Sequence, residues 1–185
     1  MGASMMVRWE GWEGRSLEHL ALQEEADGIT AESVILGRAG GQPFAASYRI
    51  SCDSGWRTRE VAIGLIGSSR QLLLTADGEG RWRAGAGADL PALRGAVDVD
   101  ITATPFTNTL PIRRLGLSAG AAADITTVYI TVPDLTITTD PQRYTCLEPN
   151  RSYTYESRDS DFRRQIETDE RGLVLTYPGL FRRVP

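Results

Sequence analysis

The chain has no lysine; all 20 of its basic residues are arginines. That bias is the signature of a GC-rich genome, yet it excludes chemistry. Without lysine there is no Walker A phosphate loop, no Schiff-base catalysis and no lysine general base. Histidine is nearly absent too: His19 is the only imidazole. The two cysteines, Cys52 and Cys146, form no CxxC and no metal-ligand spacing, so neither a metal nor a cofactor is expected. There is no basic excess, the net charge being −4 and the isoelectric point near 5.1, which argues against a partner with a phosphate backbone. The Arg-Arg pairs at 113/114, 163/164 and 182/183 are far apart and balanced by acids. No apolar run reaches the length of a membrane span, and the opening MGASMMVRWEGWEGR has no apolar h-region. A cytoplasmic location with reduced cysteines is therefore expected. Oligomeric state is not legible.

Alternation dominates what is present. ITAESVILG, FAASYRISC, WRTREVAIGL and RQLLLTA each have strand length and are separated by Gly-rich or polar turns. ADGEG (76–80) is a hairpin signal, because Asp-Gly supplies positive φ; EADG (25–28) and DERG (169–172) read similarly. TTVYITV, LTIT, RYTCLE, SYTYES, FRRQIET and GLVLTYP follow, rich in residues that suit a pleated surface. About a dozen short strands at this spacing predict an all-β, antiparallel meander. Helix is confined to one or two short turns, near LPALRG and LPIRRLG, where proline opens a first turn. Residues 1–185 contain no repeat or linker and read as a single domain.

Three stretches bear on function. In VDVDI, Asp98 and Asp100 project from one strand face, about 6–7 Å apart at Cα. Such a pair suits acid–base work or a cation; spacing alone favours a solvated face, with Val97, Val99 and Ile101 turned inward. The uncharged TPFTNTLP then leads into Arg113 and Arg114. Its threonines and asparagine substitute for ladder hydrogen bonds, while Phe106, Leu110 and Ile112 anchor it. A guanidinium behind a packed loop requires an acidic partner, and Asp98 or Asp100 is nearest in sequence. Whether the arginines hold the loop or read a ligand stays open. GLSAG (116–120) matches the nucleophile-elbow pattern but lacks a downstream histidine, so Ser118 is read as a turn residue. His19 is read as a half-exposed strand residue, Cys52 as a small buried hydrophobe, and most aromatics as core.

GAVDVDITATPFTNTLPIRRLGL resembles the signature of a bacterial family of putative glycolipid-binding proteins, a domain of unknown function. Glu18-His19-Leu20 after Trp9 or Trp12, SYRISCDSGWRTREV (47–61), GEGRW (78–82), QRYTCLEPNRSYTYES (142–157) and DERGLVLTYPGLFRRV (169–184) resemble its other blocks in order. The resemblance covers nearly the whole chain. It implies a single, incompletely closed antiparallel β-barrel, similar to periplasmic lipoprotein carriers that hold acyl chains on a concave apolar face. Family members often carry cysteine before VDVD, where this chain has Ala96, so no cysteine role there applies. The carriers also have export signals, and none is read here.

The expected function is therefore a non-enzymatic binding protein for an amphipathic ligand, a glycolipid or other acyl-bearing molecule, held on the concave face of a curved sheet. Trp56, Arg57, Asp98, Asp100, Thr107, Asn108, Arg113 and Arg114 are the expected ligand-binding residues, a polar rim reading the head group. No catalytic residue is assigned. The alternative is an enzyme acting on a glycosyl or phosphate-bearing substrate, with Asp98 and Asp100 as the acid–base pair and Arg113 as electrostatic stabiliser. A third possibility is a purely structural role for the motif.

Overall fold

The structure is a computed structural model and describes residues 3–185. Fourteen strands form one sheet: β1 (Ala3–Gly11), β2 (Leu17–Glu24), β3 (Gly28–Ala39), β4 (Gln42–Asp53), β5 (Thr58–Leu65), β6 (Gln71–Ala76), β7 (Trp82–Ala84), β8 (Asp98–Ile101), β9 (Ala122–Ile130), β10 (Ile137–Glu148), β11 (Ser152–Ser157), β12 (Arg163–Thr168), β13 (Val174–Tyr177) and β14 (Phe181–Val184). One helix, α1 (Thr109–Leu115), and 3-10 turns at Pro91–Leu93 and Phe106–Asn108 complete the described residues. Both helical turns fall where the prolines place them, and the Asp-Gly, DERG and EADG turns join β6–β7, β12–β13 and β2–β3.

The order across the sheet is β7-β6-β5-β4-β3-β2-β1-β14-β13-β12-β11-β10-β9-β8. The chain thus winds outward from β1 to one edge, crosses to the other edge over residues 85–97, and winds back until β14 pairs with β1. Alternate side chains of β2, among them Glu18, Leu20 and Leu22, turn inward; β3 and β4 repeat the pattern. One pair departs from the expected antiparallel meander, since β8 runs parallel to β9. Parallel neighbours cannot be joined by a tight turn; they need a long crossover, usually helical. Residues 102–121, carrying α1, are that crossover.

The edges β7 and β8 are not joined by a ladder, so the barrel stays incompletely closed. The sheet instead overlaps itself. Val99 and Ile101 of β8 and Val128 and Ile130 of β9 share one apolar cluster with Val61 and Ile63 of β5 and Leu74 of β6. A second cluster, built on Tyr144, Cys146, Tyr153, Tyr155, Ile166 and Val174, fills the half formed by β10–β13. The crossover lies between them, placing Phe106 and Leu110 in the first and Ile112 in the second.

Two hydrogen bonds to backbone carbonyls hold the seam. Gly95 N–H donates to the Gly80 carbonyl at 2.9 Å, and the Trp82 indole donates to the Ala96 carbonyl at 2.8 Å. Gly80 has φ of +90°, and a Cβ there would lie 2.8 Å from the Gly95 Cα. Both constraints demand glycine. Gly80→Ala is therefore expected to cost about 1–3 kcal/mol and to lower the melting temperature more than Gly87→Ala, where φ is +87° but nothing lies within 4 Å. Equal losses in thermal unfolding would contradict the seam contact.

Candidate functional site

Helix α1 is short because it is bounded on both sides. Pro111 can sit only in a first turn, and Gly116 ends the helix in the left-handed conformation with φ of 53°. Inside the sheet its polar groups each find a partner. Thr109 Oγ1 donates to the Gly172 carbonyl at 2.9 Å, and the Tyr144 hydroxyl donates to Asn108 Oδ1 at 2.9 Å.

The aspartates of VDVDI are not on a solvated face. Asp98 is fully buried and Asp100 half-buried. The reason is the overlap: Val99 and Ile101 face the first apolar cluster, while the crossover covers the opposite face of β8. Arg114 grips Asp98 in a forked arrangement, Nε to Oδ1 at 2.9 Å and Nη2 to Oδ2. Burial pushes the Asp98 carboxyl up, and the guanidinium offsets this only in part. Asp100 accepts from Thr107 Oγ1 at 3.1 Å and from Gln142 Nε2 at 2.7 Å.

The eight expected rim residues separate into three places. Arg113 lies at the end of the barrel marked by the β12–β13 and β4–β5 turns. Its guanidinium is 4.6 Å from the centroid of the buried Trp56 ring and donates to the Arg171 carbonyl at 2.9 Å and to Glu24 at 3.4 Å. Trp56 holds a left-handed backbone, φ 63°, costly for a bulky residue; Arg57 next to it is exposed. This end is packed shut. Arg114 and Asp98 lie between the ends. Asp100 and Asn108 line a pocket at the opposite, open end, with Thr107 behind Asp100.

That pocket measures about 430 Å³. Its floor carries Asp100, Thr104, Asn108 and Asp140; its walls are Tyr129, Tyr155, Phe162 and Tyr177; its lip is Leu180 and Phe181. Trp12, 41% exposed, meets the lip through the backbone, its main-chain N–H donating to the Leu180 carbonyl at 2.8 Å. Gln142 Nε2 bridges the floor, 2.7 Å from Asp100 Oδ2 and 2.7 Å from Asp140 Oδ2. Burial, opposed in part by Gln142 and Thr107, moves Asp100 up to about 6, and Asp140 is raised for the same first reason. The hydroxyls of Tyr129, Tyr155 and Tyr177 are raised as well, first by burial and then by Asp100. A larger hollow of about 890 Å³ crosses the outer face of β2–β6, along His19, Val34, Ser47, Gly64 and Leu73. It is a broad trough of outward side chains, far from the signature segment, and size is its only claim. His19 is exposed there, as expected. Ser118 lies in the polar connection after α1.

Behind Thr104 stands a group that the linear motifs missed. Glu18 is buried and accepts from Ser33 Oγ at 2.8 Å and Tyr48 Oη at 2.7 Å; Tyr48 also meets Thr104 Oγ1 at 3.3 Å. Its parity with Leu20 and Leu22 was the available signal. Asp140 and Gln142 were missed as well, being some forty residues from Asp100 with no motif linking them.

The geometry defines an all-β protein whose rolled sheet is filled by its own crossover helix and opens in one acid- and aromatic-lined pocket. A family model described as "Putative glycolipid-binding" matches residues 6–183, and the chain belongs to that family. It is similar to the crystal structure of a DUF1089 family protein from Pseudomonas aeruginosa, with 42% identity, 92% of each chain covered and a TM-score of 0.83. No curated protein matches it. Among the described residues no helix is long and apolar enough to cross a membrane.

Two buried carboxylates yield opposite tests. Removing the partner of Asp98 strands a charge, so Arg114→Ala is expected to lose about 3–5 kcal/mol in denaturant unfolding; a loss below about 1 kcal/mol, the size of a surface pair, would show the pair to be dispensable. Burial raises Glu18 from 4.5 to about 7, despite its hydrogen bonds. The folded protein therefore holds that proton more tightly than the unfolded chain. The resulting stability, about 3 kcal/mol, is complete below pH 4.5 and lost as pH rises through about 7. Glu18→Gln should flatten this decline in melting temperature between about pH 5 and 8; an unchanged slope would assign it elsewhere.

Proposed function

We propose that the protein binds an amphipathic molecule of the glycolipid kind, with its polar head in the open-end pocket. One observation carries this: the crossover occupies the interior, packing into both apolar clusters, whereas the open-end pocket of about 430 Å³ is sized for a head group. Its aromatic walls suit the apolar face of a sugar ring, and Asp100, Asp140 and Asn108 offer hydrogen-bond partners to hydroxyls. The apolar tail would leave over Leu180, Phe181 and Trp12. In this arrangement Asp100, Thr107 and Asn108 serve the ligand, while Trp56, Arg113, Arg114 and Asp98 hold the scaffold. A cytoplasmic setting is part of the same proposal, supported by the buried free thiols of Cys52 and Cys146; cell fractionation tests it.

A second proposal, glycosyl chemistry, draws on the Gln142 bridge. The carboxylates facing common space are Asp100 and Asp140 rather than Asp98 and Asp100, and a carboxyl raised to about 6 suits a general acid. Turnover of nitrophenyl glycosides that Asp100→Asn abolishes would support it; no turnover across a panel of sugars would end it.

For binding, the test is titration with octyl glucoside followed by intrinsic fluorescence. Tyr129→Ala is expected to weaken binding about tenfold, equivalent to about 1.4 kcal/mol, without moving the melting temperature. Binding unaffected by that change would place the ligand elsewhere.

A further inference from the structure

The open-end pocket is lined by carboxylates that have no cation. Asp100, Asp140 and Asp159 all border it, and no ion pair among the described residues includes any of the three. In a chain with 20 arginines, none lines this pocket. The contrast two residues earlier on the same strand is direct: Asp98 is gripped by Arg114, and Asp100 is held only by an amide and a hydroxyl. Burial raises both Asp100 and Asp140, and no cation offsets it as Arg114 does in part for Asp98.

A second feature is independent of charge. Gln142 is completely buried, its amide reaches the pocket floor between the two carboxylates, and its Oε1 has no hydrogen-bond partner. A buried amide carbonyl without a donor is costly, so the floor beneath Asp100 and Asp140 is incompletely satisfied by the protein's own groups. The wall adds a third. Tyr155, Phe162 and Tyr177 stand with ring centroids 5.8–6.4 Å apart, and Tyr129 lines the same pocket. Aromatic faces attract cations through the ring quadrupole. Arg164 already uses that attraction, its guanidinium 4.7 Å from the Phe162 centroid.

We infer that the head group bound in this pocket carries a positively charged nitrogen, as an ammonium group seated between the aromatic wall and the Asp100–Asp140 floor. This rests on the head-group proposal above and narrows its ligand class. An amino sugar and a quaternary alkylammonium share the necessary chemistry. They differ in that only the amino sugar has N–H groups to donate to the carboxylates of Asp100 and Asp140.

Four octyl amphiphiles below their micelle concentrations separate the outcomes by calorimetry at neutral pH: octyl glucoside, the octyl glycoside of glucosamine, octyltrimethylammonium and octyl sulfate. Both cationic probes are expected to bind at least about tenfold more tightly than octyl glucoside, and octyl sulfate more weakly than any. The amino sugar above the quaternary ion identifies N–H donation to the carboxylate floor as dominant; the reverse order identifies the aromatic wall as dominant. Asp140→Asn and Asp159→Asn, the latter at an exposed position, should each shrink the ratio of cationic to neutral affinity. Arg164→Ala, which removes a competing guanidinium, should enlarge it. Octyl glucoside equal to the cationic probes would overturn the charge inference and leave the sugar proposal standing. Preference for octyl sulfate would overturn it too. Failure of all four probes would overturn both proposals together.

Discussion

A parallel pair of strands at one edge of an otherwise antiparallel sheet forces a long crossover, and this protein runs that crossover through its own interior. Once residues 104–112 lie inside, the polar groups that they and the arginines after them bring must be satisfied there. Asn108 is answered by Tyr144, Thr109 by a carbonyl of the β12–β13 turn, and Arg114 by Asp98. The last is the most demanding. Withdrawing both charges from water is expensive, and only a geometry with several hydrogen bonds offsets the cost. The planar fork of arginine supplies this and lysine could not. Arg113 then emerges at the far end and shuts it against Trp56.

Filling the sheet in this way separates support from access. The seam, the shut end and the two apolar clusters are fixed by packing and by contacts such as Gly80 with Gly95. The opposite end retains the pocket, and the residues around it come from strands distant in sequence: β8, β9, β10, β11, β13 and β14. The two aspartates of one short strand thereby take different parts. Asp98 is a counter-ion inside the scaffold, and Asp100 meets what enters from outside.

Much of this was legible in the residues. Alternation placed the strands, Asp-Gly and Pro placed the turns, and the uncharged run before Arg113 identified the packed segment. The demand of a buried guanidinium for an acid pointed to VDVDI. What the sequence could not convey was which faces would be covered. Asp98 and Asp100 alternate with Val and Ile as a half-exposed strand does; the rolling of β8 under β5 and β6 buries one side and the crossover buries the other. Likewise Asp140 and Gln142 join Asp100 through sheet register, which no local pattern encodes. Glu18 shares the buried parity of Leu20 and Leu22, the one local sign of a carboxylate turned against the usual polar-out alternation.

The pairing of β1 with β14 carries a consequence of another kind. Trp9, near the beginning, donates its indole N–H to the Val174 carbonyl, 165 residues later. During synthesis β1 therefore presents an open edge, apolar on its inner face, through almost the whole passage of the chain. Contacts of such sequence separation slow folding, and an unpaired edge in the meantime invites other strands. The exposed Arg8 and half-buried Glu10 on that strand's outer face place charges along the waiting edge, the usual deterrent to premature partners. A sheet that seals at its middle, with its ends rolled inward, thus spends its most vulnerable interval as a growing chain.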